Sequence, residues 1–455
     1  MQVAVYALEC RGFWSAWISL DLTVDRWWRS GAGPESQGRD LVTVDKLVLL
    51  SPALPLGWAV KLRDRFKQRD GMRNWGAKEW GQYVNSVLEP ELQEEREAGG
   101  MVKEEWLSDE VSLWRLSGQK EVYIEQGKKN IDSRSYSRGN DLEYALLESE
   151  VEQLVHAVAG RSLLQPEIEA LLAEGLPELT GRWRQAAQLA HLQGRLTFVA
   201  AVGSPAPAAH GARVRQFPAG AGALARAAAR LPHMLRRGAI ARRACVRCLR
   251  CGSVPTGRTA CAACGLMGCA YCEACLALGR SRACALLLRS AALPAVRCTA
   301  ALDPIVAAGR WGLSPAQAGA AGAALGFLAE RRGRSAKPCP ERFLLWAVTG
   351  AGKTEMIFPL LEAVLAAGGR ALVATPRRDV VLELAPRLAK AFPAEILAVL
   401  YGGSAERWVS GRLTLATTHQ LLRFHRAFDL VIIDELDALP RIPKHTRLIV
   451  NYLFN

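Results

Sequence analysis

The sequence predicts an α/β protein: a lobe with a parallel sheet and a phosphate-binding loop (P-loop), preceded by a Cys-rich metal module and an α+β N-terminal region. Three observations carry that expectation. Beyond about residue 301, short apolar runs alternate with stretches of helical periodicity, the pattern of parallel strands covered by helices on both faces. A glycine-rich turn, Gly350-Ala351-Gly352-Lys353-Thr354, joins one of those runs to a helical stretch. Ten of the twelve cysteines fall within Cys245–Cys298.

Composition sets the frame for these features. At 455 residues, 50% hydrophobic and 22% charged, the chain has material for about three domains and is neither disordered nor fibrous. The expected divisions are 1–204, a region without assignable chemistry; 205–300, the cysteine module; and 301–455, the phosphate-binding lobe. No run of eighteen apolar residues occurs, so no membrane-spanning helix is expected. Glu9 interrupts the start of the chain and no basic residue precedes it, which disfavours a secretory signal. A cytoplasmic location follows, and there clustered cysteines serve as metal ligands rather than disulfides.

Residues 1–150 hold nine of the thirteen tryptophans. Val3–Leu8 and Phe13–Leu22, joined at Arg11-Gly12, read as a hairpin. Trp14, Trp17, Trp27 and Trp28 are assigned to the core rather than to base stacking. The polar stretch 118–140 reads as a loop or linker. Leu142–Leu172 and Trp183–Leu196 carry helical periodicity.

The second region opens with the small-residue linker Gly203-Ser-Pro-Ala-Pro-Ala-Ala. From Pro205 to Arg342 there are 21 Lys and Arg against 4 Asp and Glu, a local balance of +17 in a chain of net +14, so the remainder is near neutral. A basic block of this length suits a polyanion partner, nucleic acid above all. Within it, Cys248-x-x-Cys251 and Cys261-x-x-Cys264 offer two thiolate knuckles that would complete one tetrahedral zinc site. Cys245, Cys269, Cys272, Cys275 and Cys284 follow or flank them, so a second site or an exchanged pair is equally compatible with the spacing. A closed four-thiolate site has no open position for water. Its expected role is to hold a basic surface that includes Arg242, Arg243, Arg247, Arg250 and Arg258.

In the third region, Phe343–Val348 reads as a strand and Glu355–Ala367 as a helix capped at Gly368-Gly369. Ala371–Thr375, Ile396–Leu400, Leu413–Thr417 and Leu430–Ile433 are buried-strand candidates, and Asp379–Phe392 is a second helix. The glycines let backbone N–H groups from Thr349, Gly350, Ala351 and Gly352 turn toward phosphate, at the positive end of a helix. Lys353 would reach the outer phosphates of ATP, and the Thr354 hydroxyl would bind Mg2+. Leu430–Asp437 ends a strand in Asp434-Glu435, carboxylates suited to hold Mg2+ and to orient or deprotonate an attacking water.

With both motifs present, the segment resembles a DEAD-like superfamily-two helicase core, and more closely the late competence protein ComFA family. The strings Trp346–Met356, Ala374–Leu384, Tyr401–Ser404, Leu415–Phe424 and Ile433–Pro440 carry the likeness, with Cys275–Arg280 and Leu313–Gln317 upstream. The resemblance implies a RecA-like lobe, adenine recognition by Gln317, and contact with single-stranded DNA by Thr375, Arg377, Thr417 and Thr418. It also implies an ATP-driven DNA translocase or helicase serving DNA uptake, peripheral at the inner face of the membrane. The ComEC channel, ComFC and a homo-oligomer are the partners it suggests. Two rivals share features with it: a primosomal-type helicase, whose cysteines follow rather than precede the phosphate loop, and a non-catalytic zinc and DNA-binding fragment. After Pro440 the residues no longer resemble the expected continuation, so the sequence predicts the first lobe without the second.

Overall fold

The computed structural model describes residues 1–29, 44–101, 106, 112–117, 120–125, 140–204, 246–291, 293, 306, 309–330, 342–348, 350–404 and 407–435. The chain divides into two compact units, one of residues 1–154 with 178–287 and one of residues 155–177 with 288–455.

The first unit is built on an antiparallel sheet. Strands β1 (Gln2–Cys10) and β2 (Phe13–Ser19) form the expected hairpin. Its two-residue turn places Arg11 and Gly12 at φ 51° and 81°, the left-handed pair that a tight hairpin requires. β1 also pairs with β3 (Val44–Pro55), and β4 (Ser112–Ser117) and β5 (Lys120–Glu125) extend the sheet in the order β2-β1-β3-β4-β5. The expectation of a loop over 118–140 is therefore corrected for Lys120–Glu125. Its Val122, Tyr123 and Ile124 form a β-branched and aromatic run, whose strand preference prevails over the polar residues around it. Helices α1 (Leu22–Arg29), α2 (Leu56–Arg65) and α3 (Ala77–Glu97) belong to the same unit. Of the four tryptophans assigned to the core, two are buried, and Trp17 and Trp28 are only partly so. Trp14 and Trp27 are buried, and Trp80, fully buried, sits 4.9 Å from Trp14 and 5.2 Å from Trp75 between ring centroids.

One buried acid gives this unit a pH signature. Asp25 is fully buried, accepting hydrogen bonds from the Tyr6 and Ser19 hydroxyls. Burial pushes its carboxyl up to about 6 against the opposing effect of those bonds. Between the unfolded value near 3.9 and 6, the folded state holds a proton that the unfolded chain has lost. The stabilising contribution of the neutral acid is thus complete below about 4 and is lost as pH rises through 6. Asp25→Asn removes the titration. Its unfolding free energy, measured in urea, is expected to improve against the parent by about 3 kcal/mol between pH 4 and pH 7. A difference that does not change with pH would refute this account.

The expected helix over Leu142–Leu172 is divided. A helix ends at Ala157, Ser162–Leu164 forms a short strand, and a new helix runs Gln165–Gly175. Gly160, at φ 68°, breaks the periodicity. Residues 155–177 belong to the second unit, where Glu167 pairs with Arg423 at 2.9 Å.

The second unit carries a four-stranded parallel sheet. Its strands are β6 (Ala371–Thr375), β7 (Leu397–Leu400), β8 (Leu413–Thr417) and β9 (Leu430–Ile433), in the order β7-β8-β6-β9. Helices α4 (Pro315–Glu330), α5 (Lys353–Ala366) and α6 (Arg378–Ala391) accompany it. Val381, Leu384 and Leu388 of α6 and Leu361, Val364 and Leu365 of α5 bury against Ala371, Val373, Leu413 and Leu415. Gly368, at φ 78°, closes α5 as expected. The strand expected at Phe343–Val348 is not formed. That segment pairs with no strand among the described residues, and Trp346 and Val348 are exposed. An apolar run becomes a strand only where a neighbour's edge accepts its backbone hydrogen bonds. No helix among the described residues is long and apolar enough to cross a membrane.

Candidate nucleotide site and cysteine module

The nucleotide site grows from three adjoining features of the second unit. The first is the start of α4. Ser314 caps it: its Oγ accepts from the Gln317 backbone N–H at 3.4 Å, while its own N–H donates to Gln317 Oε1 at 2.8 Å, a reciprocal capping box. The other end of the same amide, Gln317 Nε2, donates to the Ala351 carbonyl at 2.9 Å. Gln317 thus ties this helix start to the phosphate loop, a contact the sequence did not reveal. Trp311 Nε1 donates to Glu362 of α5 at 2.8 Å, Arg310 pairs with the same carboxylate, and the Trp311 ring packs 5.0 Å from Phe358.

The second feature is the loop. Gly350 and Gly352 adopt φ 82° and 70°, and Gly352 is the residue before Lys353 opens α5. A Cβ at Gly352 would stand 2.3 Å from Gln317 Nε2, so the close approach needs glycine as much as the backbone angle does. Lys353 and Thr354 occupy the first turn of α5, where N–H groups lack helical partners and attract anions. Glu355 in that turn is held by Arg387 of α6. Thr349 lies outside the described residues.

The third feature is the carboxyl edge of the sheet. Ala374 is opposite Ile433, and Thr375 is opposite Thr417, so Thr375, Thr417 and Asp434 reach the same edge. The Asp434 N–H donates to the Ala374 carbonyl at 2.8 Å, and Asp434 Oδ1 accepts from the Glu435 N–H at 2.9 Å. Glu435 sits at φ 51°, uncommon for a residue with a side chain. Its Oε2 and the Thr375 Oγ1 are buried without hydrogen-bond partners among the described residues. Orphaned polar atoms and strained backbone on one edge cost stability, and that combination is concentrated at functional sites. The donor set fits Mg2+ and nucleotide: a hydroxyl, carboxylates and a helix start. Thr417 and Thr418 are buried. Arg377 is exposed and forks onto Asp379, whose charge, with that of Glu435, holds the guanidinium pKa above its ordinary value.

The cysteine module lies in the first unit. The four ligands expected at one ion are not brought together. Instead Cys248, Cys251, Cys272 and Cys275 form one group, and Cys261, Cys264, Cys269 and Cys284 form another, each with sulfurs within 4.8 Å. Two Cys-x-x-Cys-Gly turns build the knuckles. Gly252 and Gly265 take φ 80° and 79°, and their N–H groups donate to the Cys248 and Cys261 carbonyls at 2.7 and 2.8 Å. The Cys248–Cys275 and Cys251–Cys272 sulfurs are 3.8 and 3.5 Å apart, and Cys284 lies 3.6 and 3.7 Å from Cys261 and Cys269. Disulfides would need about 2.05 Å, whereas the edge of a zinc–thiolate tetrahedron with bonds near 2.3 Å is about 3.8 Å. Both groups therefore fit zinc. Contacts within the first group lower the pKa of Cys251 and raise those of Cys272 and Cys275, and contacts within the second lower that of Cys269 and raise that of Cys264. Cys10 forms no disulfide among the described residues, and Cys245, Cys298 and Cys339 lie outside them.

The basic surface expected around this module is only partly present. Arg250 is buried and donates to the Leu278 carbonyl at 2.9 Å, and Arg258 pairs with Glu94. Arg250 therefore serves internal packing, while Arg258 stays exposed in a surface ion pair. Arg242 and Arg243 lie outside the described residues.

A parallel sheet with a glycine loop opening a helix and carboxylates at its edge defines a P-loop lobe of superfamily-two helicase type. Residues 314–453 match the family described as type III restriction enzyme, res subunit. The match extends past Pro440, where the likeness of the motifs ended. The chain is 56% identical over 100 residues to the competence protein ComFA of Bacillus subtilis (strain 168), covering 22% of each chain. It is 52% identical over 99 residues to ComFA of Streptococcus pneumoniae (strain ATCC BAA-255 / R6), again 22% of each. The matched segment is thus similar to the ComFA proteins, and the chain spans about a fifth of those relatives' length. No solved structure matches it significantly.

Proposed function

We propose that this chain is an ATP-dependent, single-stranded DNA translocase of ComFA type that drives DNA uptake in natural transformation. The supporting observation is the coupled arrangement of Gln317, the phosphate loop and the Asp434-Glu435 edge in one unit. Lys353 holds the outer phosphates, and Thr354 and Asp434 hold Mg2+. Glu435 takes a proton from, or orients, the attacking water. Thr375, Arg377, Thr417 and Thr418, on segments that leave the same sheet edge, transmit the state of that site to the DNA backbone. Gln317 recognises adenine and, through Ala351, links that recognition to the loop. The similarity to two competence proteins supports the uptake role, with the ComEC channel and ComFC as partners at the inner face of the membrane. Cysteines placed before the phosphate loop favour this reading over a primosomal-type helicase. ATP hydrolysis by the full chain should rise at least about tenfold on adding single-stranded DNA, and Lys353→Ala should remove the stimulated part. DNA binding without any nucleotide binding would instead establish a non-catalytic module.

A further inference from the structure

We infer that the cysteine module holds two structural zinc ions in interleaved sites, and that the second ion locks the module onto the N-terminal sheet and helices. The ligand order along the chain is the basis. Cys248 and Cys251 join Cys272 and Cys275, while the segment between them contributes Cys261, Cys264 and Cys269 to a site completed by Cys284. All eight side chains are buried, and their spacings suit tetrahedral thiolate coordination at both positions. Interleaving means that neither ion can be bound by a contiguous segment alone. This little apolar sequence would not hold such crossed loops without the metals.

The two sites have different neighbours. The second is gripped from the N-terminal region on three sides. The Glu95 carboxylate of α3 accepts the N–H groups of Met267 at 2.6 Å and Gly268 at 3.4 Å, in the turn between Cys264 and Cys269. The Met1 ammonium donates to the carbonyls of Ala263 and Cys284 at 3.2 and 3.1 Å. Gly57, in the first turn of α2, lies so close to Ala283 that an added Cβ would come within 3.0 Å of its carbonyl. Around the first site, by contrast, Arg247–Cys248 pairs with Val202–Gly203, and the Leu249 N–H donates to the Ala201 carbonyl at 2.8 Å. Metal at the second site therefore orders the turns that Glu95 and Met1 hold. This inference stands whether or not the chain turns over ATP.

Elemental analysis of the purified full chain should give two zinc ions per chain, and cobalt titration of the metal-free chain should saturate its thiolate absorption at two equivalents. Cys269→Ser/Cys284→Ser should retain one zinc and speed amide hydrogen exchange in residues 1–8 and 91–100. Cys272→Ser/Cys275→Ser should also lose one zinc but leave exchange in those segments within about threefold of the parent. Glu95→Ala, which keeps every thiol, should retain both ions and speed exchange at Met267 and Gly268 on the order of tenfold or more. One zinc per chain, with cobalt saturating at one equivalent, would overturn the two-site reading. Equal exchange in the two double variants, or unchanged exchange in Glu95→Ala, would overturn the lock.

Discussion

Glu435→Gln is expected to leave Mg-ATP binding within about threefold of the parent while lowering hydrolysis by roughly 10²- to 10⁴-fold, the range for loss of a positioned general base. That loss corresponds to about 3–5 kcal/mol of barrier. The residue follows β9, its backbone is fixed at φ 51°, and the Asp434 carboxylate accepts its N–H. Its Oε2 is buried and makes no hydrogen bond among the described residues, so replacing that oxygen removes no bond. The amide has the same shape and no charge. Folding stability should therefore stay equal or rise, and a fall in turnover cannot then be assigned to damage of the lobe. Single-turnover hydrolysis, nucleotide binding and thermal unfolding of the same sample decide the matter. Turnover within about threefold of the parent would show that Glu435 does not act on the water.

The sequence made the chemistry of this lobe legible more fully than its architecture. Four apolar runs became the four sheet strands because each is short, β-branched or leucine-rich, and followed by a turn or helix signal. Phe343–Val348 has the same composition and is not paired, because pairing depends on an available edge and composition carries no information about one. Lys120–Glu125 failed in the opposite direction, its flanking charges concealing the short strand-forming run Val122–Ile124.

The metal module shows a different limit. Cys-x-x-Cys spacing identifies a knuckle through local geometry, the glycine-capped turns at Gly252 and Gly265. Which knuckles share an ion is decided by the path of the chain between them, and the structure groups the sulfurs differently from nearest-in-sequence pairing. Gln317 closes a capping box and also reaches the phosphate loop, and its contact with Ala351 depends on a loop 34 residues away. The orphaned oxygens of Thr375 and Glu435 could not be read at all, since they exist only once burial is known.

Substitutions in the phosphate loop should separate charge, backbone strain and contact. Lys353→Ala removes the cation from the phosphate site and should weaken nucleotide binding by about 2–5 kcal/mol, roughly thirtyfold to several thousandfold. Gly350→Ala adds a methyl into open space, so only the left-handed backbone is penalised, at about 1–2 kcal/mol. Gly352→Ala carries a similar backbone penalty and also drives its Cβ to 2.3 Å from Gln317 Nε2. That amide lies at the end of a flexible side chain and can swing away, but only by releasing the Ala351 carbonyl. Gly352→Ala should therefore already contain most of the effect of Gln317→Ala. Combining those two should cost less than their sum by about 0.5–1.5 kcal/mol, the worth of one hydrogen bond. Gly350→Ala with Gln317→Ala should add within about 0.5 kcal/mol, because no contact of Gln317 is disturbed. Titration calorimetry on the full chain gives all the terms. Strict additivity at Gly352 would mean that the Gln317–Ala351 bond does not hold the loop.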